Sequence, residues 1–163
     1  MTRLLLVCLG NICRSPMAEG ALRARIQASP LAGRVQVDSA GTGGWHAGQA
    51  PDPRAIACAR GHGVDISTLR ARRIAREDFE RFDWILCADR DNLHDVGRLA
   101  PPVARPRVAL WLPWAGVAGP DDLADPYSGG PRDFEQVWAR VEQAAAATVE
   151  RLARAGGSGI IER

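Results

Sequence analysis

Val7-Cys8-Leu9-Gly10-Asn11-Ile12-Cys13-Arg14-Ser15-Pro16 is the stretch on which the fold is decided. An apolar run, Leu4 to Leu9, leads into it and reads as a strand. A helical pattern carried by Met17, Ala21, Leu22 and Ile26 follows it. A strand that turns directly into a helix is the first half of a βαβ unit. The turn is short, with five residues between Cys8 and Arg14. Curled around a tetrahedral oxyanion, a loop of that length points successive backbone N–H groups inward as a nest. The start of the helix adds unpaired N–H groups and its positive dipole end. Ser15 is the expected N-cap and Pro16 the expected first helical residue. Gly10 and Asn11 are expected to take the positive φ such a curl demands.

That environment favours the thiolate of Cys8, and the thiolate is the nucleophilic form. The planar fork of Arg14 suits two phosphoryl oxygens at once. The Ser15 hydroxyl is placed to donate to the sulfur. A cysteine and an arginine at this spacing are a weak signal alone. The strand before them, the Gly-Asn kink between them and the Ser-Pro helix start after them make it specific. Hydrolysis of a phosphate ester through an S–P bond also needs an acid for the leaving group and a base for water. Asp121, Asp122 and Asp125 cluster in one loop as candidates. Pro126 biases Asp125 toward an extended backbone and stiffens the segment that presents it.

Further apolar runs at Val35 to Val37, Trp84 to Cys87 and Val108 to Leu112 read as strands. Helical patterns lie between them at Pro53 to His62, Glu77 to Phe82 and Asp91 to Val96. The last helix carries Phe134, Val137, Trp138, Val141, Ala145, Val149 and Leu152 on one face. This alternation predicts one α/β domain over residues 1–163, a doubly wound parallel sheet with helices on both faces. The Gly156-Gly157-Ser158-Gly159 segment is expected to begin a frayed tail. Charged residues make up 25% and hydrophobic ones 46% of the chain, with a net charge of +2. That balance suits an ordinary globular enzyme and argues against disorder and nucleic-acid binding. The opening apolar run is too short to span a membrane, so a cytoplasmic protein is expected, with Cys8, Cys13, Cys58 and Cys87 as free thiols. Neither Cys-x-x-Cys nor His-x-x-x-His nor His-Glu-x-x-His occurs, and no metal or other cofactor is expected.

The stretch from Val7 through Pro16-Met17-Ala18-Glu19 resembles the signature of the low-molecular-weight protein tyrosine phosphatases. Asp38-Ser39-Ala40-Gly41-Thr42, Phe82-Asp83-Trp84-Ile85-Leu86-Cys87-Ala88-Asp89 and Asp125-Pro126-Tyr127 agree with it, in order, across nearly the whole chain. The resemblance implies a flavodoxin-like four-stranded parallel sheet and a cysteinyl-phosphate mechanism without metal. It implies Cys8 as nucleophile, Arg14 as phosphate clamp and Asp125 as acid. The backbone of Leu9, Gly10, Asn11, Ile12, Cys13, Arg14 and Ser15 would bind the phosphate, and Ile12, Trp45 and Tyr127 the substrate ring. Asn11, Ser15 and Ser39 would brace the loop. Cys8 and Cys13 resemble a pair that closes a reversible protective disulfide.

Two positions depart from the family. Ser128 stands where relatives carry a second aromatic. Leu69 stands where relatives often have a bracing histidine, so a less rigid loop is expected, with Thr68 or water as possible substitutes. Expected partners are phosphotyrosine proteins, a cognate tyrosine kinase among them, acting on a monomer. Arg70-Ala71-Arg72-Arg73 and Arg76 read as a solvated face, with docking of acidic substrates as the other reading. Arsenate reduction on the same loop needs a resolving cysteine pair, and neither Cys58 nor Cys87 has such a partner in sequence. Phosphoarginine hydrolysis is a second alternative, and apolar Ile12 argues against it. A silent phosphate-binding module should have lost Cys8, Arg14 or Asp125, and all three remain.

Overall fold

In the computed structural model, which describes residues 1–157, four parallel strands form one sheet in the order β2-β1-β3-β4. The strands are β1 (Thr2–Cys8), β2 (Val35–Gly41), β3 (Trp84–Cys87) and β4 (Val108–Leu110). The helices are α1 (Arg14–Gln27), α2 (Pro53–Gly61), α3 (Asp78–Arg81), α4 (Arg90–Leu99), α5 (Trp111–Ala115) and α6 (Pro131–Gly157). The three-layer, flavodoxin-like architecture expected from the sequence is therefore present.

The central strand β1 is buried on both faces, and its side chains alternate between two cores. Leu4, Leu6 and Cys8 join Met17, Leu22 and Trp138 on the side of α1 and α6. Leu5 and Val7 join Phe79, Phe82 and Val96 on the side of α3 and α4. A continuous apolar run rather than an alternating one is what a strand covered on both faces requires.

Strand order reverses at β1, which has β2 on one side and β3 on the other. In open α/β sheets the crevice beyond the carboxyl ends at such a switch point is where ligands bind. Cys8 ends β1 opposite Gly41 of β2, and Val7 pairs with Cys87 of β3. The critical loop therefore leaves the sheet at that crevice.

Several boundaries differ from expectation. α1 begins at Arg14 with Cys13 as N-cap, and no side chain caps it. Pro16 falls in the first turn, where a missing N–H costs nothing, and Ser15 is turned to other partners described below. β2 extends to Gly41 because Asp38 to Gly41 continue the pairing with β1. β4 stops at Leu110, since Trp111 turns inward to donate from Nε1 to Thr148 Oγ1 at 3.0 Å and opens α5. α6 runs through Gly157, so the expected tail does not begin at Gly156, and the rest of it lies outside the described residues.

Candidate active site

Between β1 and α1 three loop carbonyls are tied to neighbouring segments. Those of Cys8, Leu9 and Ile12 accept from the N–H groups of Thr42, Gly43 and Asp52 at 2.9, 2.9 and 2.8 Å. Among the described residues no backbone carbonyl accepts from the N–H groups of residues 9–13. Such one-sided use of the backbone is what an anion nest requires. Asn11 makes the bend in the left-handed region, with φ 57°. Gly10 does not share it and is glycine for another reason: a Cβ there would meet the His46 ring at 3.1 Å. Gly41 is needed as well, because a Cβ would lie 2.7 Å from the Leu9 carbonyl oxygen.

Beneath the loop runs a directed chain of hydrogen bonds. The Arg72 backbone N–H donates to Asn11 Oδ1 at 3.0 Å, which fixes the amide so that Nδ2 points to Ser15 Oγ (2.8 Å) and Ser39 Oγ (3.0 Å). Ser39 then donates to Glu19 Oε1 at 2.6 Å. Ser15, already accepting from Asn11, has its proton left for Cys8 Sγ at 3.0 Å. A hydroxyl donating to sulfur stabilises the thiolate both before attack and as a leaving group. The histidine expected at Leu69 is not replaced by Thr68, which is exposed. The network closes instead on Glu19 and the backbone of Arg72. Glu19 is itself buried and paired with Arg23 at 2.7 Å. Burial raises its pKa above the usual carboxylate value, against the opposing pull of Ser39 and Arg23.

Arg14 is buried at 3% exposure, its guanidinium held from behind. Nη1 donates to Asp89 Oδ2 at 2.6 Å and to the Leu123 carbonyl at 2.9 Å, while Nη2 lies 3.6 Å from Asp125 Oδ2. Burial opposes the charge, but Cys8, Asp89 and Asp125 outweigh it and hold the Arg14 pKa above its ordinary value. Asp89 is fixed because it also caps α4 through Asn92. Cys13 shares the loop with Cys8. Burial first, then Asp52, Cys8 and Asp125, pushes its thiol up to about 12.

Cys8, Leu9, Gly10, Ile12, Cys13 and Arg14 form the floor of a hollow of roughly 150 Å³, walled by Trp45, His46, Asp125 and Tyr127. Asn11, Ser15 and Ser39 lie outside this lining, joined through the Asn11 amide beneath it. Trp45 stands 70% exposed over Gly43, where any Cβ would collide with its ring, and Tyr127 is 54% exposed across from it. Asp125 Oδ1 accepts from the Tyr127 N–H at 3.1 Å, a turn that aims the other oxygen toward Arg14. Asp121 instead faces Arg90 at the surface, 3.4 Å away.

Four contributors escaped the sequence reading. Asp89 appeared there only as part of a motif. Glu19 appeared likewise only as the end of the signature stretch. Arg72 was assigned to a solvated face, which the structure corrects: it is half-buried, bonded to Asp78 at 2.9 and 3.0 Å and to Asp38 at 3.1 Å. Arg54 is the fourth. It pairs with Asp52 at 2.9 Å, donates to the carbonyls of Tyr127 (2.9 Å) and Gly129 (2.8 Å), and stacks on Tyr127 and Phe134. Asp52 in turn donates its N–H to the Ile12 carbonyl, so two residues link the loop that carries Cys8 to the loop that carries Asp125.

An oxyanion nest at the carboxyl edge of a parallel sheet, holding a cysteine against a buried arginine, fits the class of phosphatases that work through a cysteine thiolate. The comparisons narrow this. The family model described as low molecular weight phosphotyrosine protein phosphatase matches residues 3–157. The chain is 38% identical over 151 residues to the low molecular weight phosphotyrosine protein phosphatase of Sus scrofa, covering 91% of this chain and 94% of that one. It is 41% identical over 146 residues to the low molecular weight protein-tyrosine-phosphatase of Streptomyces coelicolor, covering 88% of each. A protein tyrosine phosphatase from Entamoeba histolytica, solved with Hepes in its active site, superposes with a TM-score of 0.91 at 31% identity over 96% of this chain and 99% of that one. The chain belongs to the low molecular weight phosphotyrosine protein phosphatase family.

Proposed function

We propose that this chain hydrolyses phosphotyrosine in proteins by two in-line displacements at phosphorus. The observation that carries the proposal is the convergence of Cys8, Arg14 and Asp125 on one hollow. In the first step the Cys8 thiolate attacks phosphorus, the S–P bond forms and the P–O bond to the phenol breaks. Asp125 gives its proton to the departing oxygen. The nest and Arg14 take up charge on the equatorial oxygens. In the second step water attacks the same phosphorus and passes its proton to Asp125. The S–P bond then breaks, and cysteine leaves as the thiolate held by Ser15. Each group is restored and inorganic phosphate departs.

The aromatic preference is supported by Ile12 on the floor and the exposed rings of Trp45 and Tyr127 at the mouth. A guanidinium-linked phosphate would find no acceptor on the Ile12 side chain, which disfavours phosphoarginine. No helix among the described residues is long and apolar enough to cross a membrane. We further propose that the chain acts as a single-domain monomer in the cytoplasm on phosphotyrosine proteins, a cognate kinase among them.

Nitrophenyl phosphate provides the test. Rapid mixing should give a burst of nitrophenol followed by a slower steady state, and Cys8→Ser should abolish both. Hydrolysis that persisted in Cys8→Ser would overturn the reading.

A further inference from the structure

We infer that Cys58, His62 and Glu135 form a site for one soft divalent cation, of zinc-like chemistry, that staples α2 to α6. The three residues stand apart from the catalytic hollow, and none of them lines it. Cys58 sits in the last turn of α2 and His62 four residues on, at its C-cap, which puts both on one side of the helix. Glu135 comes from the second turn of α6 and lies across from them. His62 Nε2 is 2.7 Å from Glu135 Oε2, the Cys58 thiol donates to Glu135 Oε1 at 3.5 Å, and the three ligand atoms all lie within 4.8 Å of one another.

The imidazole is aimed. Its ring stacks on buried Trp138, with centroids 5.2 Å apart and planes 15° apart. Trp138 follows Glu135 by three residues on the same helix face, so α6 supplies a ligand and the platform that orients another. The stack limits how far the ring can turn and leaves Nε2 directed at Glu135.

The donor set selects the metal. One thiolate, one imidazole and one carboxylate suit zinc and cobalt, whereas magnesium and calcium demand oxygen throughout. The thiolate and carboxylate together neutralise a dication, so binding leaves no net charge at the helix interface. Tetrahedral bond lengths set ligand atoms about 3.5 Å apart. The His62–Glu135 pair must open slightly and the widest pair must close by about 1 Å. Side-chain rotation at the exposed rim allows both, since His62 is 41% and Glu135 53% exposed. The same exposure leaves water to complete the fourth position. A Cys-x-x-x-His spacing on a helix is the sequence signal, and the third ligand lies 73 residues from the histidine.

Cobalt is the probe, because only a thiolate ligand gives its near-ultraviolet charge-transfer band. The reduced, chelator-treated full-length chain is titrated with cobalt chloride as wild type, Cys58→Ser, Glu135→Gln and Cys8→Ser. The wild type and Cys8→Ser should develop the band to one equivalent, and stoichiometric zinc should erase it. Cys58→Ser should lack it, and Glu135→Gln should need at least tenfold more cobalt. Thermal midpoints should rise with zinc in the wild type and not in Cys58→Ser, while metal-free Cys58→Ser should turn over nitrophenyl phosphate like the metal-free wild type, Cys58 being remote from the hollow. A band that is absent from the wild type at tenfold excess cobalt, survives in Cys58→Ser, or disappears in Cys8→Ser would overturn the site. The cluster would then be a hydrogen-bonded helix contact and nothing more.

Discussion

Arg14 Nη1 lies 2.6 Å from Asp89 Oδ2, so the guanidinium proposed to grip phosphate is anchored by the N-cap of a different helix. The two residues leave the sheet at the ends of β1 and β3, on either side of the switch point. One aspartate thus has two tasks, capping α4 with Oδ1 and orienting Arg14 with Oδ2. Replacing it should damage both. Asp89→Ala should cost about 1 kcal/mol for the lost cap, and more for a buried guanidinium left without its partner. Turnover should fall by up to about a hundredfold, the scale on which misplaced catalytic groups cost rate. Asp89→Asn, which keeps a cap, should recover most of the stability but little of the rate. Thermal melts and kcat measured together check this, and recovery of both by asparagine would contradict it.

Asp125→Ala should lower kcat by roughly 10²–10⁴-fold, the range for losing a general acid and base. Phosphate should nonetheless bind at least as well, because the carboxylate 3.6 Å from Arg14 Nη2 competes for that guanidinium. Phosphate inhibition constants and kcat for the variant decide the matter. Unchanged turnover would remove Asp125 from the chemistry.

Arg54 touches no reacting atom, yet it holds the carbonyls of Tyr127 and Gly129 just beyond the acid. It is a positioning residue. Arg54→Ala should reduce kcat about tenfold, within the cost expected of a loosened catalytic group, while Cys8 still forms its phosphoryl adduct. Arg54→Lys should not rescue, since a single ammonium cannot serve two carbonyls and Asp52 in one plane. Rescue by lysine would mean that charge alone matters there.

Closure of a Cys8–Cys13 disulfide after peroxide treatment requires the Cys13 thiolate to attack oxidised Cys8. With the Cys13 thiol pushed up to about 12, that thiolate is scarce at neutral pH. The rate of closure should therefore climb about tenfold for each pH unit below that value. Mass spectrometry of the crosslinked loop after a brief peroxide pulse, at several pH values, measures it. A rate that is flat or falls with pH would contradict the assignment of Cys13 as the slow, buried partner.

What the sequence disclosed and what it hid follow from distance along the chain. Cys8, Asn11, Arg14 and the strand-to-helix turn lie within a few residues, so their shared geometry is written locally. Asp125 could be chosen from three neighbouring aspartates only through a resemblance, since its partner Arg14 is far away in sequence. Asp89, Arg54, Glu19 and Arg72 look like an ordinary cap, a helix-start cation, a helix carboxylate and a surface arginine. Each gains its role from a contact the tertiary fold creates. Ser15 carried two readings: as a cap it fails, because the sulfur and the Asn11 amide that were also expected as its partners take up the hydroxyl. Likewise Trp111 extends the apolar run of β4, and the Thr148 hydroxyl draws it out of the strand.

The covalent intermediate is the centre of the account. Asp125→Asn should slow the hydrolytic step and let the intermediate accumulate. Acid quenching of that variant with nitrophenyl phosphate, then peptide mass spectrometry, should place one phosphoryl group on the peptide at Cys8 and none elsewhere. A burst of nitrophenol without a phosphoryl group on Cys8, or with one on another residue, would contradict it.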